Sequence, residues 1–373
     1  MKNGYLLFLF FLSVNINELF QKKITTTLLS QDKISSENCK DITLSPNSEN
    51  VKFNGRFYVK NEVTWLAFSG SSIEFYLTGK SAEVILAGEN NAIYFAEDQR
   101  ARYAIYIDDK KVLDTTMGEL EKTVKLFENE EEKEIKVRII LLSEASHGAI
   151  GVKNINVNTC SNPEKVIRPS EYKKLRIEYI GDSITCAYGV ECKSPSEPFQ
   201  TTTENFELSY AFLSAKELDA DYSGVCYSGI GVAQGQNGMP QQYTKATYNE
   251  EWDFTKYPND VVVINLGTND SGYAAESKHD EYIQEYTKFL GLLREKNPKA
   301  YIICTLGMMG GEGLFPLIEK SISLFGDEKV FSFFLPNQNP EDGIGSQYHP
   351  NWVTHAKDAK IVAQKIREIL GIK

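Results

Sequence analysis

The chain has 373 residues, 42% hydrophobic and 24% charged, which is apolar material enough for about two domains with sizeable cores. Lys plus Arg number 40 against 51 Asp plus Glu, a net charge of −11, and such a chain repels a phosphate backbone, which argues against nucleic acid as a partner. Twenty Tyr and twenty Phe argue against disorder and suit β-rich structure.

The N-terminus reads as a targeting signal. Lys2 is followed by the apolar run Tyr5 to Val14 (YLLFLFFLSV), a length that fits a signal-peptide core, so residues 1–30 are expected to be a signal peptide and leader of a secreted, extracellular protein. Asn15 to Phe20 (NINELF) offers no clean small-residue cleavage site, which keeps an uncleaved anchor as the alternative. No later stretch reaches about 18 apolar residues, so no membrane contact is expected in the mature form.

The six cysteines (39, 160, 186, 192, 226, 304) form no C-x-x-C, and the four histidines (147, 279, 349, 355) form no H-E-x-x-H. No metal and no cofactor is expected. In a secreted chain some thiols pair. Cys39 and Cys160 flank the first half and can clip its ends together, whereas Cys226 and Cys304 read as buried thiols in apolar strands.

From Val51 to Val157 the rhythm is of short alternating runs: Thr64 to Phe68, Ser72 to Leu77, Ala82 to Ala87, Tyr103 to Ile107 and Ile135 to Leu142. Asp108-Asp109-Lys110 reads as a hairpin tip, and Glu128 to Glu134 (ENEEEKE) as a solvated turn. A β-sandwich over residues 38–160, jelly-roll-like with roughly eight strands, follows. A linker is placed at 161–173. In residues 174–373 strands alternate with helices. Leu175 to Ile180, Val261 to Leu266 and Tyr301 to Leu306 are strands, Leu208 to Leu218 has helical spacing, Tyr282, Tyr286, Phe289, Leu290 and Leu293 share one helical face, and Val353 to Leu370 is amphipathic. That predicts a three-layer α/β domain with a parallel sheet.

Parallel sheets place ligands at the carboxyl ends of their strands, and three such ends carry reactive residue types. Gly181-Asp182-Ser183-Ile184 sets a hydroxyl on a tight turn before a helix. Gly267-Thr268-Asn269-Asp270 offers an amide donor. Tyr348-His349-Pro350-Asn351 offers a base before the last helix. Tyr227-Ser228-Gly229-Ile230-Gly231 adds a glycine turn with a backbone N–H. Each has a structural reading as well, as a cap, a turn or a loop His; together they supply a nucleophile, a base and donors.

The order Ser, Gly, Asn, His over 175–373 resembles the SGNH (GDSL-type) hydrolase superfamily, and a β-sandwich ahead of it resembles carbohydrate esterase family two, the two-domain sugar deacetylases. The segments IGDSITCAYG, YSGIGV, GMPQQY, INLGTND and YHPN carry the likeness. It implies a secreted O-acetyl esterase acting on acetylated polysaccharide or oligosaccharide. Ser183 would be the nucleophile and His349 the base. The oxyanion donors would be the N–H of Ser183, Gly229 (with Gly231 the alternative) and Asn269. Tyr243, Tyr273 and Trp352 are candidates for stacking on sugar. The wider superfamily has Asp three residues before the His, where this chain has Ser346. The two-domain family works with a Ser–His dyad, so a main-chain carbonyl is favoured over Asp342 or Glu341 as the group that orients the imidazole. A lipid esterase or thioesterase, and a non-catalytic carbohydrate-binding protein, are the rival readings.

Overall fold

The computed structural model describes residues 39–372 except Tyr248; the proposed leader lies outside them. Ten strands make the first half: β1 (Lys40–Leu44), β2 (Lys52–Asn54), β3 (Phe57–Lys60), β4 (Val63–Leu66), β5 (Ser72–Gly88), β6 (Arg102–Ile107), β7 (Lys110–Thr116), β8 (Glu121–Leu141), β9 (Ile150–Thr159) and β10 (Ile167–Pro169). They form one antiparallel sheet in the order β3-β4-β9-β5-β8-β6-β7, with β1 beside β9 and both β2 and β10 beside β5. The two runs expected at 72–77 and 82–87 are a single 17-residue strand. Between the pairs Gly79–Lys133 and Ser81–Glu128 the register shifts, β8 carrying three more residues than β5, and the inward set on β5 passes from Ile73, Phe75 and Leu77 to Ala82, Val84 and Leu86. A strand of period 2 keeps its apolar face on one core through a bend only by such a parity change. Asp108 and Asp109, both at positive φ, make the expected two-residue tip between β6 and β7.

Two sequence expectations change here. The charged run 128–134 is no free turn. It lies within β8, where Glu134 pairs with Thr78 and Glu128 with Ser81. Glu132 Oε1 accepts from Thr159 Oγ1 at 2.5 Å and from the Cys160 N–H at 2.8 Å, beside the Cys39–Cys160 disulfide. A carboxylate that gathers donors at the domain's end is held by charge-assisted hydrogen bonds. Within the segment read as a linker, Ile167–Pro169 pairs with Phe75–Leu77.

The second half has β11 (Leu175–Gly181), β12 (Ala220–Cys226), the small hairpin β13 (Lys245–Thr247) and β14 (Glu250–Glu251), then β15 (Val261–Asn265), β16 (Tyr301–Met308) and β17 (Val330–Asn337). The five-stranded parallel sheet runs β12-β11-β15-β16-β17. Val262 and Ile264 of β15 face one core, with the helices His279–Lys296 and Phe315–Phe325; Val261 and Val263 face the other, with Tyr210–Glu217 and Trp352–Leu370. Covered on both faces, β15 reads as a continuous apolar run.

The two halves lock through buried charge. Arg56, fully buried, meets the Glu178 carboxylate of β11 at 3.2 Å and donates to the Lys245 carbonyl at 2.7 Å. Lys52 pairs with Asp221. Removing one partner of such a pair costs about 3–5 kcal/mol, because it leaves the other charge buried and unpaired.

Candidate active site

Strands β12, β11 and β15 are adjacent, and Gly181 is in register with both Cys226 and Asn265. The loops that follow these three strands therefore emerge side by side. Asp182 caps the four-residue helix Ser183–Cys186 by accepting from the Ile184 N–H at 3.0 Å. Packing fixes Gly181, where a Cβ would lie 1.9 Å from Thr185 Oγ1. Ser183 is thus set on the first residue of the helix, 7% exposed.

His349 comes to this hydroxyl from 166 residues away, with its Nε2 2.9 Å from Ser183 Oγ and its Nδ1 3.1 Å from the Ser346 carbonyl oxygen. The carbonyl accepts a hydrogen bond from Nδ1–H, which keeps the proton on Nδ1 and leaves Nε2 unprotonated and facing the hydroxyl. Gln347 and Tyr348 make this possible: both lie in the left-handed region, at φ 50° and 65°. Such residues cost about 1–3 kcal/mol each and persist where the surroundings dictate them. The Ser346 side chain points away, donating to the Glu197 carbonyl at 2.8 Å. Asp342 is engaged by Lys357 at 2.6 Å. Tyr188 packs against the imidazole, ring centroids 4.4 Å apart, and Phe199 stacks on Tyr188 at 4.0 Å. Burial holds His349 below its ordinary pKa of 6.5, as desolvation does for any cationic acid.

Gly229 has φ +79°, and a Cβ there would meet open space; Gly231 is packed against the Asp270 carboxylate, 2.3 Å from an added Cβ. Asp270 accepts from the Val232 and Ala233 N–H groups at 2.8 and 3.0 Å, which fixes the loop beyond Gly231. Asn269 is exposed, with Nδ2 3.2 Å from Asp182 Oδ2 and 3.0 Å from the Ile230 carbonyl. The amide thus ties the Ser183 turn to the Gly229 loop. Burial, with the neighbouring Asp270 charge, lifts Asp182 to about 7.

The structure gathers Ser183, His349, Gly229 and Asn269. One aromatic expectation fails. Tyr243 is fully buried between the halves, its hydroxyl donating to Glu178 at 2.9 Å and its ring under the Arg56 guanidinium at 4.7 Å; it cannot touch a ligand. Tyr273 is half-buried and donates to the Ala233 carbonyl at 2.8 Å, while Trp352 is 55% exposed at the start of the last helix. Among the described residues no cluster of His, Cys, Asp and Glu is built to hold a metal. Sequence reasoning missed Tyr188 and the side-chain role of Asp182, both inside the block IGDSITCAYG, and Glu144, which reaches the Gly229 loop from the first half.

A mixed-partner Ser–His pair on the carboxyl ends of a parallel sheet, behind a β-domain, defines a two-domain protein of the GDSL-like hydrolase class. Residues 179–327 match the family described as GDSL-like lipase/acylhydrolase, and residues 53–163 the one described as carbohydrate esterase 2 N-terminal. Together the two matches are the domain pair of the family two carbohydrate esterases, which the chain resembles. It is 30% identical over 346 residues to the cellulase/esterase CelE of Acetivibrio thermocellus, covering 88% of this chain and 40% of that protein. It is 25% identical to an acetylxylan esterase / glucomannan deacetylase of Cellvibrio japonicus, covering 88% of this chain and 91% of that one. A family two carbohydrate esterase from Clostridium thermocellum, solved with cellohexaose, superposes with a TM-score of 0.72 at 27% identity over 86% of this chain and 99% of that one.

Proposed function

We propose that the chain is a secreted carbohydrate O-acetyl esterase that works through an acetyl-enzyme on Ser183. The observation that carries the reading is His349, with one ring nitrogen on Ser183 Oγ at 2.9 Å and the other on a carbonyl at 3.1 Å. Ser183 Oγ bonds to the acetyl carbonyl carbon as its proton passes to Nε2. The carbonyl π electrons move to oxygen, which the N–H groups of Ser183 and Gly229 and the Asn269 amide receive. One Asn269 hydrogen turns from the Ile230 carbonyl to do so. A donor of this kind is worth about 10²–10³ in turnover. The intermediate collapses, the sugar oxygen leaves with the proton from Nε2, and water deacylates Ser183 by the same path in reverse.

The substrate class rests on the likeness to proteins named acetylxylan esterase / glucomannan deacetylase. Secretion rests on the apolar segment Tyr5 to Val14 and on the Cys39–Cys160 disulfide, which suits an oxidising compartment. The test is release of acetate from acetylated xylan, glucomannan and cello-oligosaccharides alongside aryl acetate and aryl octanoate. The reading expects acetate from at least one acetylated glycan and octanoate turnover lower by more than tenfold. Equal turnover of the two aryl esters with no acetate from any glycan would favour a lipid esterase.

A further inference from the structure

Glu144 belongs to the first half of the chain, three residues past the end of β8, yet only 2% of it is exposed and its carboxylate lies inside the second half. Oε2 accepts from the Ser228 N–H at 2.7 Å, and the Cys186 thiol lies 3.8 Å from the same oxygen. Ser228 precedes Gly229, and Cys186 closes the helix that Ser183 opens. A single carboxylate oxygen therefore touches both segments whose relative placement sets nucleophile against oxyanion donor.

We propose that Glu144 is a positioning residue for the oxyanion loop, so that the β-domain completes the active site of the second domain; the inference rests on the Ser183 acetyl-enzyme reading above. Holding the Ser228 N–H fixes the Tyr227–Ser228 peptide, one residue before the Gly229 N–H, which takes no partner among the described residues. Gly229, at φ +79° with open space around its Cβ position, has no side chain of its own to lock it, so an external anchor is needed. A glycine-bearing loop left unanchored loses donor geometry, and a misplacement of about 1 Å can cost 10²-fold in rate.

The anchor is itself fixed. The Glu144 N–H donates to Glu204 Oε2 at 3.0 Å. The Glu204 carbonyl accepts from Arg102 Nη1 at 3.2 Å, and Arg102 also holds Asp114 at 2.8 Å and Glu191 at 2.6 Å. Ser143 Oγ accepts from the Arg102 N–H at 2.9 Å. Burial and the nearby Glu144 carboxylate push the Glu204 carboxyl well above the usual carboxylate range. On the far side His147 Nε2 lies 3.9 Å from Glu144 Oε1.

The test compares Glu144→Ala, Glu144→Gln and Glu144→Asp in the full chain, with Lys52→Ala as a control that cuts a domain contact away from the Gly229 loop. Steady-state kinetics on aryl acetate and thermal melts are recorded for each. Glu144→Ala should lower kcat by about ten- to a hundredfold with KM within about twofold, because the loop acts on the transition state. Glu144→Gln should recover to within about fivefold of wild type, since an amide oxygen still accepts from the Ser228 N–H. Lys52→Ala should lower the Tm and leave kcat of the folded protein unchanged. Should Glu144→Ala fail to fold, Glu144→Asp is read instead: it keeps the charge, withdraws the oxygen by one methylene and should lower kcat with KM held. Wild-type kcat in Glu144→Ala or Glu144→Asp, or a Gln variant no better than Ala, overturns the role of Glu144. Wild-type turnover in Ser183→Ala would overturn instead the reading on which it rests.

Discussion

His349 donates a hydrogen bond from its Nδ1–H to the main-chain oxygen of Ser346, three residues back in its own chain and 3.1 Å away. The residue that stands where the superfamily has its acid thus contributes its backbone, while its hydroxyl is spent on Glu197. Gln347 and Tyr348 store the strain that turns the carbonyl toward the ring. A neutral acceptor fixes tautomer and orientation, and it stabilises an imidazolium less than a carboxylate would.

Asp342→Asn and Glu341→Gln should each cost less than about tenfold in turnover, against the roughly 10⁴ lost with a true triad acid. Asp342 spends its carboxylate on Lys357, and its carbonyl accepts from Asn351 Nδ2 at 2.6 Å. Steady-state rates on aryl acetate check this; a loss of several thousandfold in either variant would mean a displaced acid.

The two nearby histidines should separate cleanly. His349→Ala should abolish turnover and leave the melting curve close to wild type. His355 is 1% exposed, accepts from the Tyr210 N–H at 3.1 Å and is driven down to about 3 by burial. It stays neutral throughout the working range, so His355→Ala should lower the Tm by several degrees with kcat of the folded protein retained. Full loss of kcat in a folded His355 variant would contradict this.

Asp358 gives a pH signature. Burial raises it from 3.8 to about 7, and its Oδ2 is unpartnered among the described residues. Its folded value lies above its unfolded one, so between about pH 4 and 7 the native state holds the extra proton and this group's contribution to stability falls as pH rises. Asp358→Asn removes that slope. The Tm advantage of the variant over wild type should therefore grow from pH 4.5 to 7.5, and parallel Tm curves would contradict the assignment.

Tyr243→Phe and Trp352→Ala should part in the same way. Tyr243→Phe takes the hydroxyl from Glu178 and from Asn297 Nδ2, which donates to it at 2.7 Å, and should cost about 1–3 kcal/mol of stability with KM unchanged. Trp352, exposed beside the His349 loop, should when replaced raise KM for an acetylated oligosaccharide several-fold and leave the Tm within about a degree. A KM effect from Tyr243 or none from Trp352 would reverse the assignment.

How much was legible follows from the range of the interactions. The apolar face Tyr282, Tyr286, Phe289, Leu290 and Leu293 was read from spacing, and all five are buried in the helix His279–Lys296, because helix periodicity is local. Three of the candidate site residues, Ser183, Gly229 and Asn269, were legible because each sits in a short block just after a strand; His349 lies twelve residues past the end of β17 and was legible from its block just before the last helix. Tyr243 misled because an aromatic near a motif looks alike whether its hydroxyl meets solvent or a buried Glu178, and that partner lies 65 residues away. The charged run at 128–134 hid a strand because polarity reports exposure, not backbone pairing. Glu144 carried no local signal at all, since its partner Ser228 lies 84 residues on.

The most direct measurement is rapid quench of the enzyme during turnover of an aryl acetate, followed by peptide mass spectrometry. One acetyl group should appear on Ser183, accumulate in the burst phase, and be missing in Ser183→Ala and strongly diminished in His349→Ala. Undiminished turnover with no acetyl on Ser183, or with the acetyl on another residue, would contradict the covalent mechanism proposed for this site.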